Sequence, residues 1–270
     1  MQVNWTKGLP LWLKSISIIT GILVSLSDYS IPLLAQSSQI TSNRPFQLQI
    51  SFIPANTEPP DRGTPPASEG TGSRGDCFYK QDMPPPTRLV GSHPLKLTFE
   101  KYPTFWVYVP YTPQEATDGE FSLQDGDSEV YLTHFQLPAT PGIVGISLPP
   151  TVPPLAVGKE YRWYFDINCP RSPSSDESAA PASLTGLVQR ISVSAQLERE
   201  LNAAKTPLQR IATYARHGIW YEALAELAQL RLHEPKNPML QKTWIELLSD
   251  RTVDLAKIAQ EPIVGKVISK

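Results

Sequence analysis

Hydrophobic periodicity changes once along this chain, near residue 195, and the change decides what it can fold into. Before that point, short runs alternate apolar and polar side chains, the two-residue repeat of a strand. Such runs cover 95–99, 104–109, 120–123, 129–137, 142–148, 160–169 and 187–193. In 104–109, Phe105, Val107 and Val109 share one face while Trp106 and Tyr108 take the other. In 160–169, Tyr161, Trp163 and Phe165 face one way, and Arg162, Tyr164 and Asp166 the other. Gln124-Asp125-Gly126-Asp127 lies between two runs. It is a tight-turn signal, because Gly and Asp tolerate the positive φ of a two-residue hairpin. Strands at this spacing, joined by proline-rich connections with nothing helical between them, predict an antiparallel sandwich rather than a parallel sheet.

After residue 195, apolar residues recur three or four apart in AQLERELNAAK, PLQRIATYARHG, WYEALAELAQLRLHE, PMLQKTWIELLSD and VDLAKIAQ, the period of amphipathic helices. Gly218 stands where a left-handed cap ends a helix, and Pro207 and Pro238 stand where a first turn tolerates proline. The expected class is α+β. An immunoglobulin-like antiparallel β-sandwich over 77–194 is followed by a bundle of four or five short helices over 195–270.

The amino terminus has the form of an export signal. Lys7 and Lys14 precede an apolar run over 16–26, then a polar stretch, then Ala35, the three regions of a cleaved secretory peptide. A spanning helix needs about 20 apolar residues, and Asp28 and Pro32 break this run too early. Residues 1–35 are therefore expected to be removed, leaving an exported chain without a membrane span, periplasmic or extracellular. Removing Lys7, Lys14 and Asp28 from 24 basic and 26 acidic residues leaves 22 and 25, a net charge of −3. No long basic run remains, so nucleic acid is an unsuitable partner. Residues 36–76 read as a Pro/Gly/Ser-rich tether with one alternating run, 46–52; the tether proper has too little apolar surface to offset its ordering entropy. The polar stretch 172–181 reads as a solvated loop.

Only two cysteines occur, Cys77 and Cys169. Two thiols in an oxidising compartment usually pair. That reading is favoured over two buried free thiols or one nucleophile, since neither cysteine has a histidine close in sequence.

Two resemblances rest on particular residues. Residues 204–237 resemble a tetratricopeptide repeat: Tyr214 takes its aromatic place, Gly218 the turn, Trp220 the aromatic place after it, Ala223 the small crossing position and Pro235 the end. Arg210, Ile211 and Leu230 depart from the pattern. One repeat is visible, whereas a solenoid needs about three, so an αα-hairpin using the same residue sizes is the expected architecture. The pair is also a candidate protein-binding face. Over about 46–262 the chain resembles a family of exported cyanobacterial proteins, the domain of unknown function numbered nine hundred and twenty-eight. The features are Ser73-Arg74-Gly75-Asp76-Cys77, the run 103–110, the run 142–149, Tyr161-Arg162-Trp163 leading to Cys169, Tyr214-Ala215, and Gly218-Ile219-Trp220-Tyr221-Glu222-Ala223. The resemblance implies export and this architecture, and it implies no activity, cofactor or ligand.

Chemical motifs are sparse. Gly70, Gly72 and Gly75 match a dinucleotide fingerprint, but no strand precedes them and no helix follows. His93, His134, His217 and His233 lack metal-ligand spacing, so neither a metal nor a cofactor is expected. Asp125, Asp127 and Glu129 fit a solvated hairpin better than a calcium site, which needs six to eight oxygens. Asp76, Asp118, Asp166, Asp176 and Glu177 are the carboxylates from which a hydrolytic pair would be drawn. Ser73 lacks the glycine two positions before it that a nucleophile elbow requires. Trp106 and Tyr164 each oppose a face already filled by apolar neighbours, which makes them candidate surface anchors. Trp106, Tyr164, Tyr214 and Trp220 are thus the candidate partner-binding residues. The expected function is a non-catalytic envelope or surface protein that binds protein or glycan; the rival is a periplasmic hydrolase using loop carboxylates.

Overall fold

A computed structural model of the chain describes residues 50–53, 77, 80, 82–90, 95–170 and 182–267. The expected signal, the three spaced glycines, most of the tether and the loop at 172–181 lie outside those residues. Of the run 46–52, only 50–52 is described, and it is not a strand; beside it, Ile53 donates its amide to Ala215 O at 3.0 Å.

The chain is α+β. Its strands are β1 (Thr87–Arg88), β2 (Leu97–Thr98), β3 (Thr104–Val109), β4 (Asp118–Asp125), β5 (Ser128–Phe135), β6 (Gly142–Ser147), β7 (Glu160–Asn168), β8 (Ala182–Arg190) and β9 (Ile263–Lys266). Between β8 and β9 come α1 (Ala195–Ala203), α2 (Pro207–Arg216), α3 (Trp220–His233), α4 (Pro238–Leu248) and a 3₁₀ turn, Ala256–Ile258. One sheet has the order β1-β3-β6-β9 and the other β2-β8-β7-β4-β5. All seven sequence-read strand regions form strands, and β1 and β9 are additional.

Two pairings depart from the antiparallel expectation: β2 runs parallel to β8, and β6 parallel to β9. In both, a short strand reaches its partner through a long connection, so no hairpin dictates direction. The second departure also corrects the all-helical reading of 195–270. After four helices, VDLAKIAQ yields only the 3₁₀ turn, and the chain then returns to the first sheet as β9.

Local chemistry accounts for the elements that were legible. The β4–β5 hairpin turns at Gly126, with φ of 59°. Ser194 caps α1 by accepting from Leu197 N, Thr206 caps α2 through Gln209 N, and Asn237 caps α4 through Met239 N. Pro207 and Pro238 occupy first-turn positions. Gly218, at φ of 69°, ends α2 in the left-handed conformation its sequence position predicts.

The two sheets meet through aromatic side chains. Phe105 of β3 stands 4.8 Å (ring centroids) from Phe121 of β4 and 5.7 Å from Trp163 of β7. Along β7 burial alternates, with Tyr161, Trp163, Phe165 and Ile167 inside. Trp163 has room because Gly186 lies opposite it on β8: a Cβ there would sit 2.4 Å from Trp163 Cζ2. The ring has no freedom to yield, since its Nε1 donates to Tyr221 Oη at 3.0 Å. Gly186→Ala is expected to destabilise the fold by about 1–3 kcal/mol through overpacking, read as a lower urea midpoint at unchanged m-value.

Cys77 and Cys169 stand at disulfide-bonding distance, their Cα atoms 5.0 Å apart across 92 residues. The pairing ties the segment leading to β1, in one sheet, to the residue just past β7, in the other.

Candidate functional site

Three consecutive residues at the start of α3 fasten the helix to both sheets. Successive helical side chains point about 100° apart, so neighbours in sequence reach different partners. Trp220 donates its Nε1 to Leu89 O at 2.7 Å, beside β1. Tyr221 enters the space between the sheets, where its hydroxyl accepts from Trp163 and donates to Leu187 O at 2.8 Å; its ring is T-shaped to Phe105. Glu222 turns to β2 and the chain leaving it. Its Oε1 accepts from Thr98 Oγ1 at 2.5 Å and from the amides of Phe99 at 2.9 Å and Glu100 at 3.0 Å.

The other oxygen of Glu222 is buried and has no hydrogen-bond partner among the described residues. The residue is 7 % exposed. Burial raises its carboxyl to about 7, against the lowering effect of the three donors on Oε1. Below that value the group is neutral, and above it a buried negative charge has one solvated edge missing.

Glu222 lines a cleft of about 260 Å³ between α3, α2 and the segment 98–104. Glu100 and Glu226 line it as well, with Tyr102, Thr104 and Tyr214. Arg210 is taken up by an ion pair with Glu226. Glu100 has no ion pair among the described residues. Tyr214 packs its ring 5.7 Å from Phe99, and burial, helped by the nearby carboxylates Glu226, Glu222 and Glu100, pushes its phenol up to about 12. The cleft therefore has acidic groups, aromatic walls and no free cation of its own among these residues.

At the cleft's edge, Thr104 Oγ1 stands 2.8 Å from Ser147 Oγ, and Lys266 Nζ lies 2.9 Å from Ser147 Oγ. Partial desolvation of its amine lowers the Lys266 pKa, although the residue is exposed overall. In this geometry Lys266 Nζ donates to the serine oxygen. The cluster ties β3, β6 and β9 together.

The family model described as Domain of Unknown Function (DUF928) matches residues 69–263. The chain belongs to that family. No curated protein and no solved structure matches it. The matched span runs from ahead of Cys77 to the first residue of β9, so β1 to β8, the four helices and the cleft of this DUF928 protein fall within it.

Of the sequence-derived candidates in this DUF928 chain, Tyr214 alone lines the cleft, at 8 % exposure. Trp106 is not an outward anchor. It is 2 % exposed, because its ring fills the space over Gly145, where a Cβ would lie 3.0 Å from Cζ3. Trp220 is likewise no contact surface: it is fully buried and spends its N–H on Leu89. Tyr164 is half-buried, on the face of β7 opposite the core residues. Among the carboxylates weighed for hydrolysis, Asp118 accepts from Asn168 Nδ2 at 2.7 Å and Asp166 accepts from Ser183; Asp76, Asp176 and Glu177 lie outside the described residues. Among the described residues, no three His, Cys, Asp or Glu side chains are placed to hold a metal ion.

Glu222 was missed as a site residue because the sequence reading took it as one more residue of a helix. The available signal was its position: a carboxylate between Trp220-Tyr221 and Ala223-Leu224, inside an apolar stretch of the helical region.

Proposed function

We propose that this DUF928 protein is an exported, non-catalytic binding module of a cyanobacterial envelope, and that its partner, a protein or a glycan, is held in the Glu222 cleft. One observation carries the reading. Glu222 Oε1 is committed to three framework donors, so the most perturbed carboxyl group of the cleft serves to hold α3 against β2, with its second oxygen buried and unpartnered, rather than to shuttle protons. Export rests on the amino-terminal pattern and is supported by the cysteine pair. Within this proposal the facing sheets are an immunoglobulin-like sandwich, and α2–α3 is a single tetratricopeptide-like pair.

The test uses the mature chain on glycan and peptide arrays, followed by calorimetry on the hits. Saturable binding that Tyr214→Ala weakens at least tenfold, and that Tyr164→Ala leaves unchanged, is the expected result. Turnover of a glycan or ester library without saturable binding overturns it.

A hydrolase is the second reading, favoured by a different feature. Glu222 is buried with a raised pKa, while Glu100 is exposed and Glu226 is ion-paired. Carboxyl groups in unlike environments are the pattern of an acid–base pair. In that case Glu222→Gln abolishes turnover while leaving substrate binding intact.

A further inference from the structure

The unpartnered oxygen of Glu222, in a cleft that Glu100, Glu226, Tyr102 and Tyr214 also line, decides which kind of ligand the cleft suits. We infer that the cleft is a receptor for an organic cation, the guanidinium or ammonium head of a basic side chain or of a free amine. This rests on the binding reading above and names its ligand.

Four observations carry it. First, a buried carboxylate oxygen with no partner is costly, and a charged N–H donor compensates it better than a neutral hydroxyl, which leaves the charge in place. Second, Glu100 lines the same cleft without an ion pair among the described residues, whereas Arg210 and Glu226 pair with each other and Lys266, at the edge, donates to the hydroxyls of Ser147 and Thr104. Third, among the described residues no three His, Cys, Asp or Glu side chains are placed to hold a metal ion, whereas an organic cationic head needs no such set. Tyr102 and Tyr214 supply ring faces of the sort that attract such heads. Fourth, a volume of about 260 Å³ lies below the usual range for a whole small-molecule ligand. It suits a head group with its stem leading out.

The cleft is then pH-dependent in a defined direction. The groups facing Glu222 are Glu100 and Tyr102 from the β2–β3 connection, Tyr214 and the paired Arg210 from α2, and Tyr221 and Glu226 from α3, with Arg88 of β1 acting on Tyr221 from below. With Glu222 raised to about 7 in the free protein, a bound cation favours its ionised form. Binding therefore releases a proton near neutrality and strengthens as pH rises from 5.5 to 8.

The test is calorimetry on the mature chain with three probes: Nα-acetyl-arginine amide, agmatine, and the uncharged isostere Nα-acetyl-citrulline amide. Binding of either cation, with the citrulline probe at least tenfold weaker and proton uptake by the buffer at pH 7, is the expected outcome. Preference for the arginine amide assigns a side chain of a partner protein, and preference for agmatine assigns a free amine. Glu222→Gln is expected to weaken binding at least tenfold and to flatten its pH dependence. The exposed Glu100→Gln, which leaves the clamp intact, is expected to weaken it severalfold. Citrulline binding as tight as arginine overturns the inference. So does absence of cation binding in a protein whose glycan binding is Tyr214-dependent, a result that leaves the binding reading standing. Turnover without saturable binding removes both.

Discussion

Replacing Cys77 and Cys169 together with serine is expected to lower the unfolding free energy by about 4–5 kcal/mol, the loop-entropy value for a ring of this size. The ring closed is 92 residues long. Its effect is large because the link joins chain segments belonging to different sheets, so the unfolded chain regains a long-range freedom that local contacts do not restrain. Cys77 is also buried, at 4 % exposure, and a serine there places a hydroxyl in an apolar site. For a domain of this size the loss corresponds to a fall in Tm of roughly 10–20 °C. Urea titrations of the oxidised wild type, the wild type in reductant and the double variant measure it. Reductant alone is expected to reproduce most of the shift. A loss below about 1 kcal/mol excludes a stabilising cross-link in the native protein.

Stability of the wild type is expected to fall as pH rises from about 4.5 to about 7, and Glu222 is the cause. Its folded-state carboxyl lies at about 7, above the ordinary value of 4.5. Over that interval the folded state binds more protons than the unfolded one, so the unfolding free energy decreases with pH and levels off above the folded value. At 1.36 kcal/mol for each tenfold change, the total is about 3 kcal/mol. Other perturbed carboxyls act elsewhere. Hydrogen bonds from Gln196, His217 and Arg216 lower half-buried Glu200 to about 2, and its stabilising effect is lost only below 4.5 as pH falls. Glu115, lowered by its hydrogen bond to Lys80, behaves the same way. Asp166, raised by burial, has the sign of Glu222 in a window that opens lower.

Substitution separates the charge of Glu222 from its clamp. Glu222→Gln keeps an acceptor for Thr98, Phe99 and Glu100, and is expected to abolish the slope between pH 4.5 and 7. Glu222→Ala strands those three donors and is expected to cost about 2–4 kcal/mol at every pH. Thermal midpoints of the three proteins from pH 4.5 to 8 provide the measurement. A wild-type profile that rises through this interval, or a glutamine variant with the wild-type slope, contradicts the assignment.

The helix ends and strand positions were legible because their causes are local. Gly218 must end a helix wherever that helix lies, and Thr206-Pro207 opens one by its own side-chain and ring chemistry. The alternation in β3 was legible as well, but its meaning was not. Phe105, Val107 and Val109 were read as one face, Trp106 and Tyr108 as the other, with Trp106 as an outward anchor, yet all five are buried, at 2 % exposure or less. Alternation identifies two faces without saying what covers either. The site was less legible still. Tyr214 was singled out for an αα-hairpin, and its value comes from Glu100 and Glu222, which packing brings to the same cleft.

The chain's own order of residues determined an α+β class, the two secondary-structure territories and the cysteine pair available to join them, because periodicity, capping and thiol chemistry act over a few neighbouring residues or on a single pair. Tertiary structure decided the rest. Trp220, Tyr221 and Glu222 are adjacent in sequence, but the groups they bond lie 131, 34 and 124 residues away. A carboxyl group becomes a proton-holding one only when those distant segments close around it and exclude water.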